Sequence, residues 1–380
     1  MGQYWQVICP DAQQTFGGRG KLGEYLFSRH PEEIIAPLVV PHTDPWVRDN
    51  LSPVPLSFPV SASPLLNIPT ELLDEIIVYL PLPELFVLAL CSQRLYYTCR
   101  SRIMSIVTSQ CGPLAGTSLI CTGDYIDAGD YPPGIDWIPK IEELEKQLAS
   151  TPGDESGADS EDDDDFGYTD TWRIAKAAPN LFRLAEAFYA RVPRDSDVSR
   201  TLTDTLAHSL CWGFIYDAHK YLPDSLCLEF RELTIIDSGA LYPNSVEWIL
   251  RNLTTKEYVR RSVLGPVVDG PFTYGGGGGL GHLLVSRICW SSDDSTAMRW
   301  DGIHRGIWAG HKFDVTAITA IEGDDSWKDV SVEAYNEIKA IWESEYGAEW
   351  EEYWTIGSRR VHAKRSVHDT HYGYHYHYAY

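Results

Sequence analysis

Asp301, His304, His311 and Asp314 surround a Trp308-Ala309-Gly310 turn, and Asp124 lies in a second turn, Gly123-Asp124-Tyr125, far upstream. Imidazoles beside carboxylates can ligate a metal or move protons. None of the spacings that make such groups converge is present: there is no HExxH, GxSxG or paired Cys–His pattern. The plainer reading is satisfied turn and surface residues. Residues 275–281 (GGGGGLG) offer a backbone that could approach a phosphate, but His282-Leu283-Leu284 follows and no Walker lysine does. Gly20-Lys21 continues into Leu22 where Ser or Thr is needed. These glycines read as a mobile loop. After Val361, five histidines (His362, His368, His371, His375, His377) alternate with tyrosines, a density that binds transition metals weakly and more simply forms a tail. The expectation is no catalytic residue, no cofactor and no metal.

Composition narrows the classes further. The formal charge is −23, and residues 142–170 hold twelve acidic side chains against Lys146. A chain so acidic lacks the basic face that nucleic-acid binding needs. No apolar run reaches the roughly 18 residues of a membrane span, and Gln6 breaks the myristoylation pattern after Gly2. Eight scattered cysteines without a CxxC read as reduced, mostly buried thiols, so the expected compartment is cytoplasmic or nuclear. The stretch TPGDESGADSEDDDD at 151–165 has almost nothing to bury and reads as a solvated spacer.

The elements around these groups are more informative. Residues 66–103 open on Ile68-Pro69, run through Glu71-Leu72-Leu73, Ile76, Ile77 and Leu80 at helical spacing, and break at Pro81-Leu82-Pro83. Leu85, Leu88, Ala89 and Leu90 follow, then Cys91-Ser92-Gln93-Arg94. Pro69 has no N–H to waste at a helix start and sets the angle of approach. Helices this short must pack on something else to persist. Periodicity alone would equally suit core helices of a larger domain.

The order of these residues resembles an F-box, the helical module that docks on the Skp-type adaptor of a cullin–RING (SCF) ubiquitin ligase. The resemblance implies adaptor contacts at Ile68, Pro69, Leu72, Leu73, Ile76, Leu80, Leu85 and Leu88. Ile68 stands where the family has Leu, and Gln93 where a basic residue is common, departures that imply weaker adaptor affinity. The opening MGQYW, with GKLGEYLF, CTGDY, NLTTKEYV and GIWAGHKFD, resembles a group of fungal proteins, many with an F-box-like insert, from which no activity carries over.

Two flanking segments also look alike. WQVICPDAQQTF at 5–16 parallels WILRNLTTKEYV at 248–259, each reading as strand, polar turn, strand. LAGTSLICT at 114–122 parallels WAGHKFDVT at 308–316. Trp5 to Leu114 is 109 positions and Trp248 to Trp308 is 60, and the excess of 49 is close to the length of the F-box-like segment. A duplicated unit with a helical insert in its first copy accounts for this. Amphipathic stretches at 172–192, 201–221 and 331–346 read as core-facing helices.

The expected fold class is α+β. Residues 1–62 and 109–140 form the first half of a host domain, and 63–108 are its F-box-like insert. Residues 141–170 are an acidic disordered loop and 171–236 a helical connector. Residues 237–350 are the second half, and 351–380 a His/Tyr-rich tail. The resemblance implies a non-catalytic substrate receptor joining a Skp-type adaptor to an unknown protein target, with no nucleic-acid or membrane partner. The alternative is a host that binds or transforms a small ligand through Asp124, His304, His311 and Asp314, with the insert as tether or core.

Overall fold

The computed structural model describes residues 2–28, 30–42, 64–89, 91–134, 136, 138–150, 175, 179–192, 241–265, 270–273 and 278–356. Among the described residues, helices stand beside two mixed five-stranded sheets, so the fold is α+β, as expected. The first hairpin joins β1 (Tyr4–Cys9) to β2 (Gln14–Lys21), and β3 (Thr117–Ser118) precedes β4 (Ile120–Gly123). Later strands are β5 (Ala190–Arg191), β6 (Trp248–Asn252), β7 (Glu257–Arg260), β8 (Cys289–Trp290), β9 (Lys312–Ala317) and β10 (Lys328–Asp329). One sheet has the order β5-β2-β1-β4-β8 and the other β10-β7-β6-β9-β3.

The two sheets share one register. Trp5 pairs with Gly123 on β4, and Trp248 pairs with Ala317 on β9. Cys9 pairs with Gln14, and Asn252 with Glu257. Outside each hairpin a two-residue parallel strand meets the same positions: Ala190 and Arg191 beside Gln14 and Thr15, Lys328 and Asp329 beside Glu257 and Tyr258. Each hairpin turns through a left-handed residue just before its second strand, Gln13 at φ 52 and Lys256 at φ 56, a conformation uncommon outside glycine. A side chain from each turn then caps the third strand. Asp11 Oδ2 accepts from Ser118 N at 2.8 Å, and Thr254 Oγ1 accepts from Lys312 N at 3.0 Å.

The sheets meet at their Ala-Gly turns. Gly116 (φ 81) donates its N–H to Phe313 O at 2.7 Å, and Gly310 (φ 76) donates to Leu119 O at 2.8 Å. Exchanging the two units maps one bond onto the other, so the halves face each other across a local pseudo-two-fold axis. Val7, Ile8 and Cys9 pair with Phe16, Thr15 and Gln14 as Leu250, Arg251 and Asn252 pair with Val259, Tyr258 and Glu257. Trp5 to Ile8 pair with Gly123 to Ile120 as Trp248 to Arg251 pair with Ala317 to Asp314. The first hairpin departs from this match through a register shift between Trp5 and Val7.

The inner faces, Trp5 and Val7 with Trp248 and Leu250, pack into one core. It also holds helix α1 (Leu22–Leu26) and lies beside the short α2 (His30–Glu33). The insert contributes three helices, α3 (Thr70–Val78), α4 (Leu82–Ala89) and α5 (Gln93–Gln110), whose inward side chains join the same core. The chain reaches the insert alongside the second half: Val39 bridges Val315, and Val40 N donates to Val315 O at 2.8 Å.

Helix α6 (Ile138–Ser150) occupies the start of the stretch expected to be an acidic loop from residue 141. Its Ile141, Leu144 and Leu148 are buried at helical spacing, while Glu142, Glu143 and Lys146 face water. That amphipathic stripe corrects the boundary. The helix expected over 172–192 is likewise shorter where described. Helix α7 (Leu181–Phe188) starts at the cap Asn180, whose side chain accepts from Arg183 N, and gives way to β5. The acidic segment 151–165, the helix expected at 201–221 and the tail 357–380 lie outside the described residues.

Helix α8 (Leu280–Ile288) is buried on every side. Just before it, Gly278 lies flat on the Trp354 indole, where a Cβ would sit 2.3 Å from ring carbons, and donates its N–H to Trp354 O. Part of the glycine run is therefore a close-approach site; residues 274–277 lie outside the described residues. Helix α9 (Ser331–Tyr346) coincides with the stretch expected to be helical, and α10 (Trp350–Ile356) completes the aromatic end of the core.

Candidate functional site

In the insert, Pro69 takes the N-cap position of α3 with extended backbone, and its carbonyl accepts from both Leu72 N and Leu73 N at 3.1 Å. Glu71 in the first turn complements the positive end of the helix. Residues four apart share a helix face, and α3 carries two apolar faces at that spacing. Leu73 and Ile77 are buried in the core. Leu72 and Ile76 face solvent at 56% and 43% exposure. Tyr79, one residue past the helix, is 81% exposed, and Val78 accompanies it.

Helix α4 divides in the same way. Leu85, Phe86 and Ala89 are buried, Leu88 is half-buried, and Val87 is 47% exposed. The residues singled out in the sequence therefore separate into two groups. Pro69, Leu72 and Ile76 lie at the surface, and Ile68, Leu80 and Leu88 at its margin, whereas Leu73 and Leu85 hold the helices to the core. Val78, Tyr79 and Val87 were not singled out, although all three lie in the same apolar stretch.

Helix α5 fixes the beginning of α3. Ser92 caps α5 by accepting from Leu95 N at 3.2 Å. Arg94 then reaches back: its Nη2 donates to Ile68 O at 2.7 Å and to Thr70 Oγ1 at 3.1 Å, and its Nη1 donates to Leu66 O. A guanidinium serves three acceptors in one plane where an ammonium could not. Arg94 thus ties α5 to the Ile68-Pro69 turn. The surface round the apolar patch is acidic: Glu71, Asp74, Glu75 and Glu84 are exposed, and residues 64–93 contain no Lys or Arg.

The His and Asp groups do not form a second site of this kind. Asp124 Oδ1 accepts from Tyr4 N at 2.8 Å. Asp314 is held by Arg251 in a two-pronged ion pair at 2.8 and 2.6 Å. His311 Nδ1 accepts from Asn252 Nδ2 at 2.9 Å, and burial pushes its pKa down. The His304 carbonyl accepts from Ser291 N. No two of these four side chains share a hydrogen-bond partner. Among the described residues, no group of three or more His, Cys, Asp or Glu side chains is arranged to hold a metal, and no helix is long and apolar enough to cross a membrane.

Helices α3 and α4 thus leave an apolar face exposed on an α+β fold. Residues 65–104 match the F-box domain, about a tenth of the chain. No curated protein and no solved structure matches the chain. The F-box is a protein-interaction domain, so the insert is the part of the molecule with an assignable task.

Proposed function

We propose that the chain is the substrate-receptor subunit of an SCF ubiquitin ligase. The exposed face of the insert grips a Skp-type adaptor, and the host domain, proposed to be two copies of one unit, presents a protein target. The observation that carries this reading is the conjunction of the F-box match with Leu72, Ile76, Tyr79 and Val87 left uncovered beside Pro69. Apolar side chains clustered at a surface mark interaction sites, and a few of them dominate binding energy. On this reading Leu72 and Ile76 touch the adaptor directly. Leu73 and Leu85 act by holding the helices in place.

The test is co-purification of the full chain with a Skp-type adaptor. Leu72→Asp with Ile76→Asp should weaken retention roughly tenfold or more, with little change in thermal stability because both positions are already solvated. Val332→Asp, at a still more exposed position on α9, should leave retention unchanged. Absence of adaptor retention by the native chain, or retention indifferent to the double substitution, would refute the proposal.

A further inference from the structure

Strand β8 is two residues long, and its parallel pairing with β4 sets Cys289 opposite Cys121 and Trp290 opposite Thr122. Both cysteines are fully buried. Cys289 Sγ donates to Val285 O at 3.2 Å, and the paired register puts the two cysteine side chains on the same face of the sheet. Neighbouring strands lie about 4.8 Å apart, inside the Cα window of roughly 4.4–6.8 Å that a disulfide requires.

We propose that Cys121 and Cys289 form a dithiol–disulfide couple that staples β4 to β8. The oxidant is a low-molecular-weight disulfide. One cysteine thiolate attacks a sulfur of that disulfide, forming a mixed disulfide and expelling one small thiolate. The second cysteine thiolate attacks the protein-side sulfur, closing the Cys121–Cys289 bond and expelling the other. The protein loses two protons and two electrons, and the small disulfide becomes two thiols.

Burial governs the rate in both directions. It pushes the Cys289 thiol up, so little thiolate exists while β8 is docked. Oxidation therefore proceeds through opening of the two-residue strand and is slow. Once closed, the bond is shielded from reductant by the same packing. Closing the long loop between residues 121 and 289 also restricts the unfolded chain, which raises stability.

The experiment treats the reduced full chain with oxidised glutathione, then quenches, unfolds, alkylates and maps peptides by mass. The expected result is a Cys121–Cys289 cross-linked peptide that appears more slowly than modification of the exposed Cys91. The oxidised chain should melt at a higher temperature than the reduced one, and Cys289→Ser should lose both the cross-link and the shift. Full alkylation of Cys121 and Cys289 after Cys91 has reacted would overturn the proposal. So would a stable glutathione adduct on either residue, or a cross-link to a different cysteine. If Cys289→Ser fails to fold, the peptide map of the native chain decides alone.

Discussion

The two sheets pair their strands in the same register yet differ on their outer faces. On the first, the cross-strand pair Ile8–Ile120 points outward and is covered by α6 and α7 through Ile141, Leu144, Leu181 and Leu184. On the second, the equivalent pair is Arg251–Asp314, with Arg251 lying over the Trp327 ring at 5.2 Å, and Trp327 in turn packs with Ile318 against a small cluster of Ile249, Tyr258 and Ile321. The inner faces, the hairpin turns and the Ala-Gly turns are common to both. Register is therefore set by the turns and the inner Trp and aliphatic residues. The outer pair follows whatever packs over it.

That contrast makes a transplant informative. Arg251 and Asp314 are mostly buried, at 17% and 7% side-chain exposure. Removing one partner strands a charge, so Arg251→Ala or Asp314→Ala should destabilise by about 3–5 kcal/mol. Replacing both, Arg251→Ile with Asp314→Ile, copies the first sheet into the second and should be close to neutral. Denaturant midpoints of the three variants check this. If the double change costs as much as either single one, the outer faces are not interchangeable.

The parts legible in the sequence are those encoded locally. Trp and aliphatic runs on either side of Pro10-Asp11 and Asn252-Leu253-Thr254 specify hairpins, and an Ile68-Pro69 start with a Pro81 break delimits α3. Strands β5, β8 and β10 were not legible, because two residues carry no period and each is defined only by a partner distant in sequence. Helix α6 was hidden because its Glu residues dominate the composition while only Ile141, Leu144 and Leu148 carry the signal. The docking face was half legible. Leu72 with Ile76 and Leu73 with Ile77 are equally good stripes, and only the position of the core decides which one is left for a partner.

The shared turns predict equality where the outer faces predict difference. Gly116 and Gly310 both adopt left-handed backbone, which costs a residue with a Cβ about 1–2 kcal/mol. Gly116→Ala and Gly310→Ala should therefore lower stability by similar amounts. At Gly116 the added methyl meets only Leu253 at ordinary contact distance, 3.9 Å, so strain and not crowding sets the loss there. Unequal losses in thermal or denaturant unfolding would mean that the two turns carry different loads despite equivalent hydrogen bonds.

The smallest effect concerns the residue after each glycine. Thr117 accepts from the Cys9 thiol at 3.2 Å, and at the equivalent place His311 accepts from Asn252 at 2.9 Å. Burial holds the folded His311 pKa below its ordinary value of 6.5, with the Glu257 carboxylate opposing the shift. The unfolded chain then binds the proton more readily than the folded one. The neutral ring's contribution is complete above about pH 6.5 and is lost as the pH falls from there through the folded value. His311→Thr, which copies the first half, should flatten that slope in unfolding free energy measured from pH 7.5 to about 5, leaving the carboxylate-dependent fall at lower pH. An unchanged slope would place the titration elsewhere and leave the Asn252–His311 contact a packing feature shared with Cys9–Thr117.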